Sequence, residues 1–219
     1  MVDIPRSFIR RDFFFLTVAF VPFFFNDFFF IGLTDPIKVL GIDYVTRILG
    51  ISILLFIPTL RLAAFQRQNP NEWRGAAGSI LFVVYAVFIT WFVIFAVELP
   101  LDRAYPSWNL FSYPKIEPPS LFYFDISMGL LLVAISEELL CRVVLFNVLN
   151  RHIKSHLLII VISAAIFGLM HWSKGVGNMA STTLLGIFFM WGYIKSQSLK
   201  TVVAAHFAID FMVFGLPNL

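Results

Sequence analysis

Apolar residues fill this chain in long runs, separated by short polar breaks. The runs cover about 13–33, 44–60, 76–99, 121–149, 156–172, 179–194 and 201–216. A helix crossing a bilayer needs about 20 residues, and the run 76–99 is clean and long enough to span. The pattern predicts an all-α, polytopic transmembrane helical bundle of about seven membrane segments, with six to eight as the range. In the first run Pro22 and the Asn26-Asp27 pair predict a kink or break, which leaves two half-segments as an alternative. Residues 34–43 read as a turn-rich loop. Residues 100–120, with Pro106, Pro114, Pro118 and Pro119, read as the longest non-helical stretch. Tyr105, Trp108 and Tyr113 within it suit the headgroup region. Lys174-Gly175-Val176-Gly177 reads as a tight turn.

Composition agrees. The 219 residues are 59% hydrophobic and 13% charged, with a mean hydropathy of +0.87. Soluble domains carry about 25% charged residues. A single membrane domain over 1–219 is the natural reading. The formal charge of +3 is small. The basic residues sit mostly at the edges of apolar runs, so they read as topology determinants, and no nucleic-acid partner is expected. Arg6, Arg10 and Arg11 precede the first run as in a signal peptide. No small-residue cleavage site follows, so the segment reads as retained.

With a cytoplasmic N-terminus, the inner loops carry Arg6, Arg10, Arg11, Arg61, Arg67, Arg74, Arg151, Lys154, Lys195 and Lys200. The outer set is Lys38, Arg47, Arg103, Lys115 and Lys174. This two-to-one bias predicts N-in and C-out. The expected location is a bacterial or archaeal cell membrane, with the lipid bilayer as a partner. The one cysteine, Cys141, permits no intramolecular disulfide and no cysteine metal cage, and reads as a small apolar filler.

The fourth run holds what an apolar run should not. Nothing charged interrupts 126–136, and then Glu137, Glu138 and Arg142 appear. A charge at a helix centre costs about 2.5–3.5 kcal/mol on insertion scales, so such groups need partners or a function. Glu138 and Arg142, four apart on one helix face, can form an internal ion pair. Glu137 lies about 140° around the axis from Arg142, so it faces elsewhere and is left available. A structural polar lock between helices is the alternative.

Two further runs carry matching groups. The fifth ends in Phe167-Gly168-Leu169-Met170-His171, where Phe167 could wall a cavity one turn before His171. The seventh carries His206 and Asp210, four apart on one face. An interfacial histidine and a local hydrogen-bonded pair are the plainer readings. Ala164 with Gly168, and Ala204 with Ala208, have the spacing that lets helices approach closely. His152 and His156 lie in a polar connection and read as solvated. Ser136 and Ser163 sit in no Gly-x-Ser-x-Gly turn. A carboxylate activating water is the simpler chemistry, since burial brings a glutamate toward general-base strength. His and Asp groups could face the developing oxyanion.

Glu137-Glu138-x-x-x-Arg142, Phe167-x-x-x-His171 and His206-x-x-x-Asp210, in this order on separate helices, resemble the CPBP (CAAX protease and bacteriocin-processing, or Abi) family of intramembrane glutamic endopeptidases. The resemblance covers about 121–216. It implies a catalytic core in the four C-terminal helices, 120–219, with accessory helices and a loop over 13–119. It implies peptide-bond hydrolysis without a covalent intermediate, metal or cofactor. Glu137 would activate water, His171 would assist, and His206 with Asp210 would stabilise the oxyanion. Glu138, Arg142 and Phe167 would support them. The last motif often has Asn where Asp210 stands. An ionised aspartate cannot donate to an oxyanion, so Asp210 is either protonated or orients His206. The implied partner is a membrane-associated peptide or protein: a prenylated CAAX tail, a bacteriocin precursor or a C-terminal sorting signal. A metal-dependent hydrolase, a peptide-binding immunity protein and a proton-coupled transporter are the competing readings.

Overall fold

The structure is a computed structural model describing residues 6–66 and 75–218. Among these residues the regular structure is helical, apart from one isolated pairing of Asn109 with Lys174. The helices are α1 (Arg6–Phe30), α2 (Pro36–Phe56), α3 (Pro58–Phe65), α4 (Ala76–Ala104), α5 (residues 119–152), α6 (His156–Leu169), α7 (Val176–Ser196) and α8 (Leu199–Asp210). The all-α bundle read from the sequence is the observed architecture.

Several boundaries differ from expectation, each for a local reason. Helix α1 runs unbroken through Pro22 and Asn26-Asp27. The two polar residues tie helices together: Asn26 Nδ2 donates to Asp43 Oδ1 at 2.9 Å, and Ser173 Oγ donates to Asp27 Oδ2 at 2.7 Å. The expected loop 34–43 is mostly the start of α2. Asp35 caps it by accepting from the Ile37 and Lys38 N–H groups at 2.9 and 3.3 Å. Pro36 then sits where a missing N–H costs nothing. Helix α4 continues past Pro100, which follows a wider turn at Ile94–Glu98. Similar wide turns, of the kind found inside long helices near functional groups, interrupt α5 at Asp125–Gly129 and Leu139–Val144. Arg67 and Arg74 of the charge count lie outside the described residues.

Helix α5 is the axis of the bundle, buried continuously from Leu140 to Leu149. Leu140, Val144, Leu145 and Val148 pack among Leu54, Phe82, Ile159, Phe167, Met190 and Ala205 from the surrounding helices. Large apolar side chains face outward on α1, α2 and α4, including Phe29, Ile48, Phe88 and Phe92. On length and composition alone, Arg10–Phe30, Pro36–Phe56 and Ala76–Ala104 can each cross a membrane. Helix α6 has only 14 residues, about 21 Å at 1.5 Å per residue, against a hydrocarbon core of about 30 Å.

Small residues set the α6–α7 contact. A Cβ on Gly168 would collide with Thr183 Oγ1 and lie 2.8 Å from the Met179 carbonyl oxygen; one on Gly186 would lie 3.0 Å from Ala164 Cα. The matching expectation for α8 fails. Ala204 is exposed, and Val202, Ala205, His206 and Ile209 form the buried face. Between α4 and α5, the segment 105–118 is pinned over one end of the bundle. Phe111 stacks on Phe30 with centroids 4.8 Å apart, and the Leu110 and Phe111 N–H groups donate to the Ser173 carbonyl at 2.8 and 3.1 Å.

Candidate active site

Three helices bring the predicted residues together. Glu137 and Glu138 stand on α5 just before its wide turn at Leu139–Val144. His206 and Asp210 project from α8, and Phe167 from α6, with His171 in the turn that follows. His206 is the hub. Its Nδ1 lies 2.8 Å from Glu138 Oε1, and its Nε2 lies 3.8 Å from Glu137 Oε2 and 3.4 Å from Asp210 Oδ2. A carboxylate next to a guanidinium can only accept, which assigns the Nδ1 proton to His206. Nε2 is thereby aimed between Glu137 and Asp210.

Glu138 and Arg142 form the internal pair that their spacing predicts, Nε to Oε2 at 3.2 Å, with both side chains fully buried. The Arg142 nitrogens find no well-directed hydrogen bond among the described residues. Ring faces take that place: the guanidinium lies 4.4 Å from the Phe167 centroid and 5.6 Å from that of Phe189. Such contacts are worth about 2 kcal/mol or more when desolvated. Phe167 also sets its edge against both imidazoles, at centroid distances of 5.0 Å to His171 and 6.2 Å to His206.

Glu137 is not free in the way its angular position predicts. Arg47 Nη1 donates to Glu137 Oε1 at 2.8 Å and to Ser136 Oγ at 3.3 Å, while Arg47 Nε donates to both Asp43 oxygens at 3.0 Å. Arg47 is buried on α2 and is no outer-loop topology determinant. Sequence reasoning missed this residue, Asp43 and Asn26. The signal was present as Asp43-x-x-x-Arg47, a charged pair at helical spacing beside an apolar run. Only one Glu137 oxygen is thus taken up by the protein; Oε2 is buried and accepts no protein hydrogen bond.

Two cavities meet at Glu137. The larger, about 1030 Å³, lies between α1, α2, α5 and the 113–119 segment, and Glu137, His171 and Asp210 line it. The smaller, about 130 Å³, is lined by the same three residues together with Glu138, Phe167 and His206. His171 makes no direct hydrogen bond to Glu137. Its Nδ1 donates to the Phe167 carbonyl at 2.9 Å, an assignment forced because a carbonyl oxygen only accepts. The ring lines both cavities. Among the described residues, no group of three or more His, Cys, Asp and Glu is arranged to hold a metal ion. The acids pair instead with Arg47, Arg142 and His206.

Residues 119–212 match the family model of type II CAAX prenyl endopeptidases, Rce1-like. No curated protein and no solved structure matches the chain significantly. The matched span holds all three motifs, with the glutamate pair, the Phe-x-x-x-His turn and the His-x-x-x-Asp face converging on one polar hollow. Residues 119–212 are therefore similar to the Rce1-like family of CAAX proteases, in keeping with the CPBP resemblance of the motifs.

Proposed function

We propose that this protein is an intramembrane endopeptidase in which Glu137 activates a water against a peptide bond of a membrane-associated substrate. The observation that carries the reading is the unpartnered Glu137 Oε2 at the junction of two cavities, 3.8 Å from His206 Nε2. Water bound there gives its proton to Glu137, with His171 Nε2 as the neighbouring acceptor. The resulting hydroxide adds to the peptide carbonyl carbon. When the C–N bond breaks, the proton held by the acid–base pair passes to the leaving amine. Arg47 supplies a fixed countercharge that holds Glu137 in place without using Oε2.

In this reading His206 is an imidazolium, with Nδ1–H on Glu138 and Nε2–H facing the oxyanion. Asp210 acts as an acceptor that orients His206, which removes the need for a protonated aspartate. Glu138 and Arg142 hold the His206 ring from its other nitrogen. The larger cavity takes an extended peptide, from a CAAX-type tail, a bacteriocin precursor or a C-terminal sorting signal. We place the N-terminus in the cytoplasm. Removing buried Arg47 from the outer basic set leaves Lys38, Arg103, Lys115 and Lys174, which strengthens the inward bias.

The test is a comparison of membrane peptidomes from cells carrying wild type or Glu137→Gln, followed by cleavage of the accumulated precursor with purified protein. A precursor that accumulates with Glu137→Gln and is cut by wild type alone supports the reading. Equal cleavage by both proteins overturns it.

A further inference from the structure

The smaller cavity has a wall that this mechanism leaves unused. Glu98 closes the wide turn in α4, and Asn178 and Ser181 face it from the start of α7. Ser181 Oγ donates to Glu98 Oε2 at 2.5 Å, and Asn178 Nδ2 donates to Glu98 Oε1 at 3.2 Å. These bonds fix the Asn178 amide with its oxygen turned away from Glu98. Asn178 Oδ1 is buried and accepts no protein hydrogen bond. At the other side of the same cavity, Glu137 Oε2 is buried and equally without a donor. His171, whose Nδ1 is committed to the Phe167 carbonyl, lies on the same lining.

Two buried acceptors on one hollow, Asn178 Oδ1 and Glu137 Oε2, receive no hydrogen bond from the protein. Buried polar groups left unpaired cost about 1–3 kcal/mol each, so the hollow has to take a small molecule with O–H or N–H groups. Lipid chains have none. A substrate backbone does, but at about 130 Å³ the hollow is too small for a peptide segment, which fits the 1030 Å³ cavity on the other side of Glu137. Water has two donors and occupies about 30 Å³ in the liquid, so a few waters fit the hollow. Thr90 and Thr182 also line it. Their hydroxyls donate back to Ala86 and Asn178 carbonyls at 2.8 and 2.7 Å, which leaves their lone pairs open to the cavity.

We infer that the smaller cavity is a water conduit from Asn178 to Glu137, meeting the substrate cavity at Glu137, His171 and Asp210. Asn178 is a positioning residue for this water, and Glu98 with Ser181 orients it. The inference rests on Glu137 as the water-activating base. It adds that a residue on α7, outside all three motifs, governs resupply after each turnover.

Two measurements test it on the full chain in lipid nanodiscs. With the precursor identified by the Glu137→Gln comparison as substrate, Asn178→Leu lowers kcat at least about tenfold with KM within about twofold, and Asn178→Ser recovers most of the loss. A mere staple between α4 and α7 would not give that split or that rescue. The second measurement needs no turnover. In a Cys141→Ala background, Thr182→Cys reacts with 2-aminoethyl methanethiosulfonate, while Leu184→Cys on the outer face of the same helix does not. Unchanged kcat in Asn178→Leu, or Thr182→Cys as inert as Leu184→Cys, overturns the conduit. If Glu137→Gln keeps full turnover, the base assignment fails by itself, and the labelling still decides whether water fills the hollow.

Discussion

Arg47 on α2 and Glu137 on α5 are 90 positions apart in sequence and 2.8 Å apart in space. The contact joins a helix outside the family-matched span to the residue placed at the centre of the chemistry. Asp43, held by the same guanidinium, and Asn26, bonded to Asp43, extend the network to α1. The first two helices are therefore part of the site's support, beyond the accessory role read for 13–119.

Arg47→Met should then cost about 3–5 kcal/mol, the usual result of stripping one partner from a buried ion pair and leaving charge behind. Arg47→Lys keeps a cation but loses the planar fork that reaches Asp43 and Glu137 together. It should retain the fold and lose turnover. Thermal unfolding in detergent, beside a cleavage assay, separates the two effects. An Arg47→Met protein as stable as wild type would mean that the network bears no structural load.

The same substitution at adjacent positions should have opposite consequences. Glu137→Gln leaves Arg47 paired with Asp43, so the fold should survive while turnover falls about 10²–10⁴-fold, the range for a lost general base. Glu138→Gln strips fully buried Arg142 of the carboxylate that it pairs with. It should destabilise by about 3–5 kcal/mol. Unfolding curves and rates for the pair check this; matching behaviour of the two variants would argue against separate roles.

The motifs were legible because they sit on regular helices, where spacing fixes the face. Glu138 and Arg142, or His206 and Asp210, could be paired on that ground alone. Arg47 was not, because the turn-like reading of 34–43 put it next to a loop. The Asp35-Pro36 cap starts α2 early and draws Asp43 and Arg47 into the bundle. Glu98, Asn178 and Ser181 escaped notice for another reason: each looks like an ordinary residue near a helix end, and only the packing of α4 on α7 joins them. The wide turns in α4 and α5 leave no mark in hydropathy at all.

Asp210 offers a sharp test of the oxyanion assignment. If its carboxylate orients His206, Asp210→Asn should retain activity within about threefold, since the amide oxygen still accepts and the amide nitrogen can donate to an oxyanion. Asp210→Ala, which can do neither, should lose at least about tenfold in kcat. Equal loss in both variants would require the negative charge itself. Rates with the substrate identified through Glu137→Gln decide between these outcomes.

The contact between α6 and α7 makes a final prediction, because it sets where His171 stands. A methyl group at Gly168 has to displace Thr183 and press on the Met179 carbonyl, which belongs to helix backbone and cannot rotate away. Overpacking of this kind costs about 1–3 kcal/mol. Separation of the helices would also shift the Phe167 carbonyl that fixes the His171 ring. Gly168→Ala should therefore lose both stability and kcat. Gly41 in α2 is the control, since a Cβ there meets nothing within 4 Å. Removal of its backbone freedom in a helix should stabilise by about 0.5–1 kcal/mol. Unfolding temperatures for the two alanine variants should move in opposite directions. If Gly168→Ala is instead neutral, the close approach of α6 to α7 is not what holds His171 at the cavity.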